Sequence, residues 1–423
     1  MRKKIAVIGG GAAGMMAALQ AARAGADVEL YERNDRVGKK LLATGNGKCN
    51  FSNTEMSVHA YYGSAVSLYD TLFPIFGVKE TVDFFSQEGM LIKDRNGYLY
   101  PASEQASTVQ DILRYALEQS HVSIYTEAKV ETIMPLEDGS FQIKVADKKN
   151  DARPECYHAV IIACGGKAAP KTGSDGNGFI LAKKLGHHVT PVVPALVQLR
   201  CKEEFLKSVS GVRSNAELTL FIDEKEKYCV QGELQLTDYG ISGIPVFQFS
   251  REAAYALLQN RRVTVAINFL SQFTETEYVL FWQNRWKKLE ECEHQSGKAE
   301  ETLEQFLTGI ANKKINQLVI RLAGCKPLEK AATLKRAQRE KIEKLYRNLI
   351  VTVQAANGFE QAQVSAGGVE AGELYADTLE SRIVPNLYFA GEIIDMDGIC
   401  GGYNLQWAWT SGYIAGRAAV GRK

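Results

Sequence analysis

The chain has 423 residues, of which 45% are hydrophobic and 23% charged, and its formal net charge is +1. This length exceeds one ordinary hydrophobic core and predicts two or three domains. Acids and bases are interleaved, without the basic surplus expected of a nucleic-acid-binding surface. No stretch of the sequence reaches the roughly 18 apolar residues of a membrane-spanning helix.

The eight cysteines are scattered along the chain. They form no C-x-x-C pair and no Cys/His cluster at zinc spacing, so no metal site is predicted and a disulfide reductase with an adjacent thiol pair is disfavoured. A thiol pair joined only by the fold stays open. A chain of this size without a disulfide framework is typical of a reducing compartment, and we expect a cytoplasmic protein.

The first thirty residues carry a βαβ pattern. We predict a buried strand at Lys4–Ile8, a helix at about Met15–Ala24 and a second strand at Asp27–Tyr31. Between the first strand and the helix lies the glycine-rich turn Gly9–Gly14. The length of the whole pattern, about 30 residues, is that of one βαβ unit.

The glycine-rich turn satisfies the G-x-G-x-x-G pattern of dinucleotide binding and has the strand, helix and downstream acid that this motif needs. Gly9 permits the tight turn, Gly11 lets the backbone approach a pyrophosphate, and Gly14 lets helix and strand pack closely. Ala13 belongs to the helix N-terminus, whose free N–H groups bind phosphates. Glu32 is expected to accept hydrogen bonds from the ribose hydroxyls.

This motif alone does not separate FAD from NAD, but three further segments favour FAD. The first is the loop 38–50, rich in glycine and asparagine, which is able to follow a long ligand past its pyrophosphate. The contacts expected in and just before this loop are at Arg33, Lys40, Asn46 and Gly47. Cys49 in the same loop is a weak candidate for a redox thiol, since a lone cysteine more often packs as a small buried residue.

The second segment is the strand Ala159–Ala163 with its glycine-rich end. Small residues at Ala163 and Gly165 allow the strand end to lie close to a ligand. The third segment combines Leu387–Glu392 with a Gly-Gly turn that starts a helix, whose end would direct N–H groups at a flavin ring. The expected contacts in the third segment are Gly391, Glu392, Gly402, Asn404 and Leu405.

The sequence pattern predicts an α/β fold in which a Rossmann-type FAD-binding domain is split by an insertion. From Pro191 polar and apolar residues alternate, which indicates antiparallel β structure, and Thr274–Arg347 is helical in composition. We therefore predict an FAD-binding domain over 1–190 and 355–423. The insertion is predicted to hold an antiparallel β domain over 191–272 and 348–354 and a helical subdomain over 273–347.

Several segments together resemble a family of bacterial NAD(P)/FAD-dependent oxidoreductases with aminoacetone-oxidase-like and bile-acid-reductase-like members. They are the G-N-G-K-C-N loop at 45–50, and segments 232–243, 365–369 and 391–404. The resemblance runs along the whole chain and implies non-covalent FAD and an inserted β domain that is barrel-like. By motif it implies FAD contacts at Glu32, Val130, Glu392, Asn404 and Leu405. The sequence departs from the expected loop at Lys48, where we would expect Arg with its forked donors.

Three functions are compatible with the sequence. The first is a flavin reductase of a conjugated double bond in a small-molecule substrate, with NADH or NADPH docking transiently, because no second G-x-G-x-x-G follows a strand. In that case Tyr239 or Tyr403 is a weak candidate for the proton donor. The second is an oxidase of a small amine that uses oxygen. The third is a non-catalytic flavin-binding or nucleic-acid partner protein, supported only by the basic residues within 326–341.

Overall fold

The computed structural model describes residues 2–146, 156–293 and 301–421. Contacts divide the chain into two compact units, the first formed by Met1–Ala195 with Gly358–Lys423 and the second by Leu196–Asn357. The first unit therefore contains both ends of the chain. A separate helical subdomain over 273–347 stays a prediction.

The first unit is built on a five-stranded parallel sheet. Its strands, in spatial order, are Leu387–Phe389, Ala159–Ile162, Lys4–Ile8, Asp27–Tyr31 and Ser123–Tyr125. The three central strands are mostly buried, and Ala159–Ile162 and residues 5–8 are wholly apolar, as is usual for parallel strands covered on both faces. An edge strand from the C-terminal part of the chain, Leu387–Phe389, thus belongs to the same sheet as the first strand.

Short antiparallel pairs and helices complete this unit. The antiparallel strands are Lys129–Pro135 with Phe141–Ala146 and Cys156–Tyr157; Ser52–Asn53 with Tyr98–Pro101 and Ile92–Arg95; Val193–Ala195 with Val364–Ala366; and Tyr61–Tyr62 with Asp397–Gly398. The α-helices are Ala12–Arg23, Tyr69–Leu72, Val78–Gln87, Ala106–Gln119, Asn177–Lys184 and Tyr403–Val420.

The second unit contains a closed antiparallel barrel of six strands. In order around the barrel they are Leu199–Cys201, Gly240–Ser242, Lys225–Leu236, Arg213–Ile222, Val263–Asn268 and Leu349–Ala356. Its α-helices are Ile244–Leu258, Glu275–Glu293, Leu303–Leu307, Lys313–Leu322 and Arg336–Arg347. The predicted fold class, a split Rossmann-type unit with an inserted antiparallel barrel, is confirmed. Within the described ranges no helix has the length and apolarity to cross a bilayer.

The first and last long helices of the first unit, Ala12–Arg23 and Tyr403–Val420, pack at very short distance. A Cβ atom added at Gly412 would lie 2.5 Å from the carbonyl oxygen of Ala13, and one added at Gly416 would lie 2.3 Å from that of Ala17. Residues four apart share one face of a helix, so the two glycines form a continuous flat contact. Only glycine permits this approach without a shift of the backbone.

The substitution Gly412→Ala tests this contact. We expect it to destabilise the protein by about 1–3 kcal/mol, because the added methyl group meets backbone atoms that cannot move aside. Gly372→Ala is the matched control, since a Cβ atom there has no neighbour within 4 Å. Denaturant unfolding followed by circular dichroism measures both variants. Equal midpoints for the two variants would contradict the packing argument.

A second internal contact of this unit involves a buried histidine. His187 Nδ1 lies 2.9 Å from Glu373 Oε2, and its Nε2 lies 2.8 Å from the hydroxyl of Ser381. Burial lowers the pKa of His187 and outweighs the opposing effect of Glu373. The unfolded chain therefore binds more protons than the folded one at mildly acidic pH.

This difference predicts that the free energy of unfolding falls as the pH drops through about 6.5, the ordinary pKa of histidine. The fall should be shallower in His187→Gln than in the unsubstituted protein, because the titrating group is gone. His59→Gln, at an exposed position, is the control and should keep the original slope. Denaturant unfolding at a series of pH values gives the measurement. Parallel curves for all three proteins would refute the assignment.

Candidate cofactor site

A cleft opens at the carboxyl edge of the parallel sheet in the first unit. It contains about 1190 Å³ of space, partly open to solvent, and Ile8, Tyr31, Ala163 and Ala390 line it at or next to the ends of four strands. The cleft lies where open α/β sheets bind their ligands.

Most of the residues predicted to contact a cofactor line this cleft. They are Gly9, Gly11, Ala13, Glu32, Arg33, Lys40, Val130, Ala163, Gly165, Gly391, Glu392, Asn404 and Leu405. The lining does not include Gly14, Asn46, Gly47 or Gly402. Asn46 and Gly47 lie exposed in their loop. The structure thus brings together predicted residues from both ends of the sequence, and their contacts with a cofactor stay predictions.

The glycines of the Gly9–Gly14 turn differ in how much free space surrounds them. A Cβ atom at Gly14 would lie 1.8 Å from the Gly9 carbonyl oxygen, whereas one at Gly11 would meet no atom within 4 Å. Gly9 itself has a φ of +105°, a conformation that favours glycine. Gly11 therefore leaves free space at the N-terminus of the helix Ala12–Arg23, where unpaired N–H groups are available to an anion.

Glu32 is buried at the end of the second strand and is held by three donors. Gly10 N–H donates to Oε2 at 2.8 Å, and the backbone and side-chain nitrogens of Asn34 donate to Oε1 at 2.8 and 2.7 Å. These bonds fix the orientation of the carboxylate. Because each carboxylate oxygen accepts about two hydrogen bonds, Oε2 keeps acceptor capacity for a ligand hydroxyl in the cleft.

An ion pair connects the residue that follows Glu32 to the segment 171–178. Arg33 pairs with Asp175, whose carboxylate also accepts from the backbone N–H of Asn177. Burial raises the pKa of Asp175, but these hydrogen bonds lower it more, so the carboxylate stays ionised. The side chain of Asn177 donates to the Val130 carbonyl at 3.2 Å. That carbonyl, at a predicted FAD contact, thus has a protein donor of its own.

On the other side of the cleft, Glu392 joins three segments that are distant in sequence. Its Oε2 lies 2.9 Å from Lys40 Nζ, and its Oε1 accepts from the backbone and hydroxyl of Ser365 at 2.7 and 3.0 Å. The hydroxyl oxygen of Ser365 also accepts from the backbone N–H of Lys167 at 2.9 Å. Ser365 is not among the residues predicted from the sequence to contact the cofactor, although its position shortly before a Gly-Gly pair could have indicated a role at the site.

The C-terminal helix holds the strand end at Gly391 from two directions. Gly391 N–H donates to the hydroxyl of Ser411 at 2.8 Å, and the indole N–H of Trp407 donates to the Gly391 carbonyl at 3.2 Å. Asn404 exchanges two hydrogen bonds of 2.8 Å with the backbone of Gly398. The Asn404 side chain therefore shapes the turn before the helix, and its backbone N–H belongs to the open first turn.

The three candidates for catalysis lie outside the lining of this cleft. Cys49 is buried, and burial raises its pKa to about 11, so that its thiol is protonated at neutral pH. The hydroxyl of Tyr403 donates to the carbonyl of Glu55 at 3.1 Å. Tyr239 belongs to the second unit, where its hydroxyl accepts from Asn357 at 3.3 Å. These placements give no support to a thiolate at Cys49.

The residues present fit FAD. The open space at Gly11 and the N-termini of two helices suit a pyrophosphate and a polar ring edge, and Glu32 suits a ribose. The lining also includes the apolar side chains of Leu41, Met396 and Trp407, which suit a flat aromatic ring.

Comparison with known proteins agrees with this fit. The family model described as HI0933-like protein Rossmann domain matches residues 3–418. The chain is 41% identical over 421 residues to 3-dehydro-bile acid delta(4,6)-reductase of Clostridium scindens, covering 99% of each chain. It is 25% identical over 416 residues to ribosomal RNA dihydrouridine synthase of Haemophilus influenzae, covering 96% of each.

Among solved structures, a 3-ketosteroid delta1-dehydrogenase of Sterolibacterium denitrificans has the same fold. The TM-score is 0.50 at 12% identity, and 100% of both chains is covered. The likeness to this structure concerns the fold alone. The sequence matches confirm the resemblance to an FAD-dependent oxidoreductase family with bile-acid-reductase-like members.

The substitution Glu32→Gln tests the proposed ribose contact. An amide retains one oxygen but places an NH₂ group against the N–H donors of Gly10 or Asn34, so we expect FAD affinity to fall by at least about tenfold. Glu131→Gln, on an exposed strand position, is the control. Titration of the apoproteins with FAD, followed by flavin fluorescence, gives the dissociation constants. Unchanged affinity in Glu32→Gln would exclude the contact.

Proposed function

The chain belongs to the HI0933-like Rossmann-domain family, and from this premise we propose that it is an FAD-dependent oxidoreductase that reduces a carbon–carbon double bond conjugated to a carbonyl. The substrate is a small, hydrophobic compound, and NADH or NADPH is the electron donor. The observation that carries the proposal is the match of 41% identity along 99% of the chain to a bile-acid reductase. The cleft, lined by most of the residues predicted to bind a dinucleotide, supports the FAD part of the proposal independently.

The names of the relatives describe related chemistry. A delta(4,6)-reductase of a 3-dehydro bile acid saturates double bonds conjugated to a ketone. Dihydrouridine is uridine whose ring double bond, also conjugated to a carbonyl, has been saturated. The substrates differ greatly in size and polarity, while the reacting group is the same. This common element is what we assign to the chain, since the fold itself does not fix the substrate.

Bound FAD would supply hydride transfer, and the protein would supply binding, orientation and electrostatics. Glu32 would hold the ribose, and the turn at Gly9–Gly11 would hold the pyrophosphate. The first turn of the helix Tyr403–Val420 would place N–H groups where negative charge increases on reduction. Lys40 neutralises Glu392, so the carboxylate adds no net charge to this side of the cleft.

The sequence contains no separate dinucleotide-binding motif for the electron donor, NADH or NADPH. The G-x-G-x-x-G turn after a strand occurs once, at Gly9–Gly14, and it serves FAD in this proposal. NADH or NADPH would therefore bind only transiently and leave before the substrate is reduced. The expected kinetic pattern is ping-pong, with two half-reactions that can be studied separately.

Anaerobic half-reactions test the proposal. We expect NADH or NADPH to bleach the visible absorbance of the flavin, and a 3-oxo-4-ene steroid acid to restore it in equimolar amount. Aminoacetone should leave the colour unchanged. Bleaching by aminoacetone and formation of hydrogen peroxide in air would instead support an amine oxidase. Absence of bleaching by both nicotinamide nucleotides would refute the donor assignment.

The nucleic-acid alternative is tested by binding. Two acids, Glu329 and Glu340, are interspersed among the basic residues within 326–341, which favours a solvated helix face. We expect ribosomal RNA fragments not to bind the protein. Tight binding with a steep salt dependence would revive this alternative.

A further inference from the structure

A second pocket of the first unit lies at the amino edge of the parallel sheet. It is lined by Lys3 and Asn386, each of which directly precedes a strand of that sheet, and by the last turns of the helices Ala12–Arg23 and Tyr403–Val420. A strand rises about 3.3 Å per residue, so Lys3 lies roughly 17 Å from Ile8, which lines the cofactor cleft. A ligand in this pocket is therefore too far from the cleft to exchange hydride with a cofactor bound there.

Positive charge predominates in the lining of this pocket. The charged residues of the lining are four cations and two carboxylates: Lys3, Arg23, Arg382 and Arg417, with Asp377 and Glu380. Arg23 pairs with Glu88, which is not part of the lining, at 2.7 Å. In the part of the chain that the structure describes, the other three cations form no ion pair with a carboxylate. Three unpaired cations in one pocket repel one another, and a bound anion would relieve that repulsion.

The end of the last helix accounts for only part of this charge. Arg417 lies in the last turn of Tyr403–Val420, and Lys3 Nζ lies 3.5 Å from the position of a Cβ atom added at Gly421, directly after that helix. The carbonyl groups of a last turn favour cations, but they are equivalent to only about half a negative charge. Lys3 and Arg417 together therefore leave a surplus of positive charge at this side of the pocket.

Arg382 is held in place while part of its guanidinium stays available. Its Nε donates to the carbonyl of Leu374 at 2.9 Å, and its guanidinium carbon lies 4.4 Å from the ring centroid of Tyr375. Among the described residues its two terminal nitrogens have no hydrogen-bond partner. A guanidinium that is fixed by its Nε and by a ring face presents its remaining donors in the geometry that binds phosphate oxygens. Arg382 is thus a preorganised receptor for an oxyanion.

Beside these cations the pocket has exposed apolar surface. Tyr375 is 44% exposed and Ile75 is 47% exposed, and both line the pocket. Proteins commonly bind a flat heterocyclic ring by stacking it on an aromatic side chain or on the plane of a guanidinium. Tyr375 and Arg382 provide both kinds of surface next to each other. The pocket therefore combines a contact for a flat ring with receptors for several anionic oxygens.

We propose that this pocket binds a nucleoside phosphate that takes no part in the redox reaction. Its phosphates pair with Lys3, Arg382 and Arg417, and its base stacks at Tyr375. Two or more linked phosphates suit cations on different sides of one pocket, because each phosphate accepts charge-assisted hydrogen bonds of its own. Since the pocket and the cofactor cleft lie at opposite edges of the sheet, this site goes beyond the proposed function and does not depend on it.

Binding of ADP to the FAD-loaded protein tests this site. FAD has to fill the cleft, because it contains an ADP unit and free ADP would otherwise enter there. We expect saturable binding by titration calorimetry, with pyrophosphate and adenosine each binding more weakly than ADP because each makes only part of the contacts. The affinity for ADP should fall as salt is raised, since Arg382 and Arg417 are exposed.

Substitutions of opposite effect locate the ligand. Arg382→Gln should weaken ADP binding by about tenfold, as expected for the loss of a charge-assisted hydrogen bond. Arg114→Gln is the matched control, because Arg114 is also an exposed arginine over a tyrosine ring, that of Tyr115 at 5.2 Å, and lies outside the pocket. Glu380→Gln removes a carboxylate and keeps an acceptor for the N–H of Asn386, so ADP should bind a few-fold more tightly. A tighter complex cannot result from misfolding.

Three results would overturn the proposal. The first is the absence of saturable binding up to about 1 mM ADP in protein that retains its flavin. The second is unchanged ADP affinity in Arg382→Gln, because the ligand would then bind elsewhere. The third is equal affinity for pyrophosphate and ADP, which would exclude the nucleoside. None of these measurements depends on reduction of an unsaturated carbonyl compound, so this proposal and the proposed function fail separately.

Discussion

The close contact between the first and last helices of the first unit is the constraint on which the cleft depends. The backbone at Gly412 and Gly416 packs against the carbonyl groups of Ala13 and Ala17 at distances that leave no room for a side chain. The first helix provides its N-terminus to the glycine turn, and the last helix provides its own to the opposite side of the cleft. Without this contact the two helix ends would not face one ligand.

Polar bonds between distant segments add precision to this arrangement. Glu392 links the loop at Lys40 to the strand at Ser365, and Arg33 links the second strand to Asp175. Each of these side chains is partly buried and has a partner, which is the condition under which buried charge is tolerated. Contacts within the protein therefore hold the lining in shape, and such preorganisation lowers the ordering cost of binding a ligand.

Local patterns in the sequence were sufficient to predict much of this site. The strands at Lys4–Ile8 and Asp27–Tyr31 have the predicted bounds, and the glycine turn, Glu32 and the Gly391–Leu405 segment all reach the cleft. These features depend on neighbours in sequence, since a buried strand, a tight turn and a helix start each have a local signature. The helix predicted from Met15 begins at Ala12, within the glycine motif itself.

What the sequence did not reveal depends on pairing across long distances. Ser365 acts through Glu392 and Lys167, so it has no motif of its own. The burial of Cys49 and the exposure of Asn46 follow from how one loop packs, although both residues lie in the same glycine-rich pattern.

The joining of both chain ends in one unit also bears on synthesis of the protein. The first strand and helix leave the ribosome long before the strand Leu387–Phe389 and the helix Tyr403–Val420, with which they share a sheet and a packed interface. During that interval the first helix lacks its partner at the C-terminal end of the chain, although it also packs on the early strand Asp27–Tyr31 and the helix Ala106–Gln119. The inserted barrel, whose strands are all encoded between these ends, is free to fold meanwhile. Because residues from both ends line the cleft, the cleft is complete only after the last of them has been synthesised.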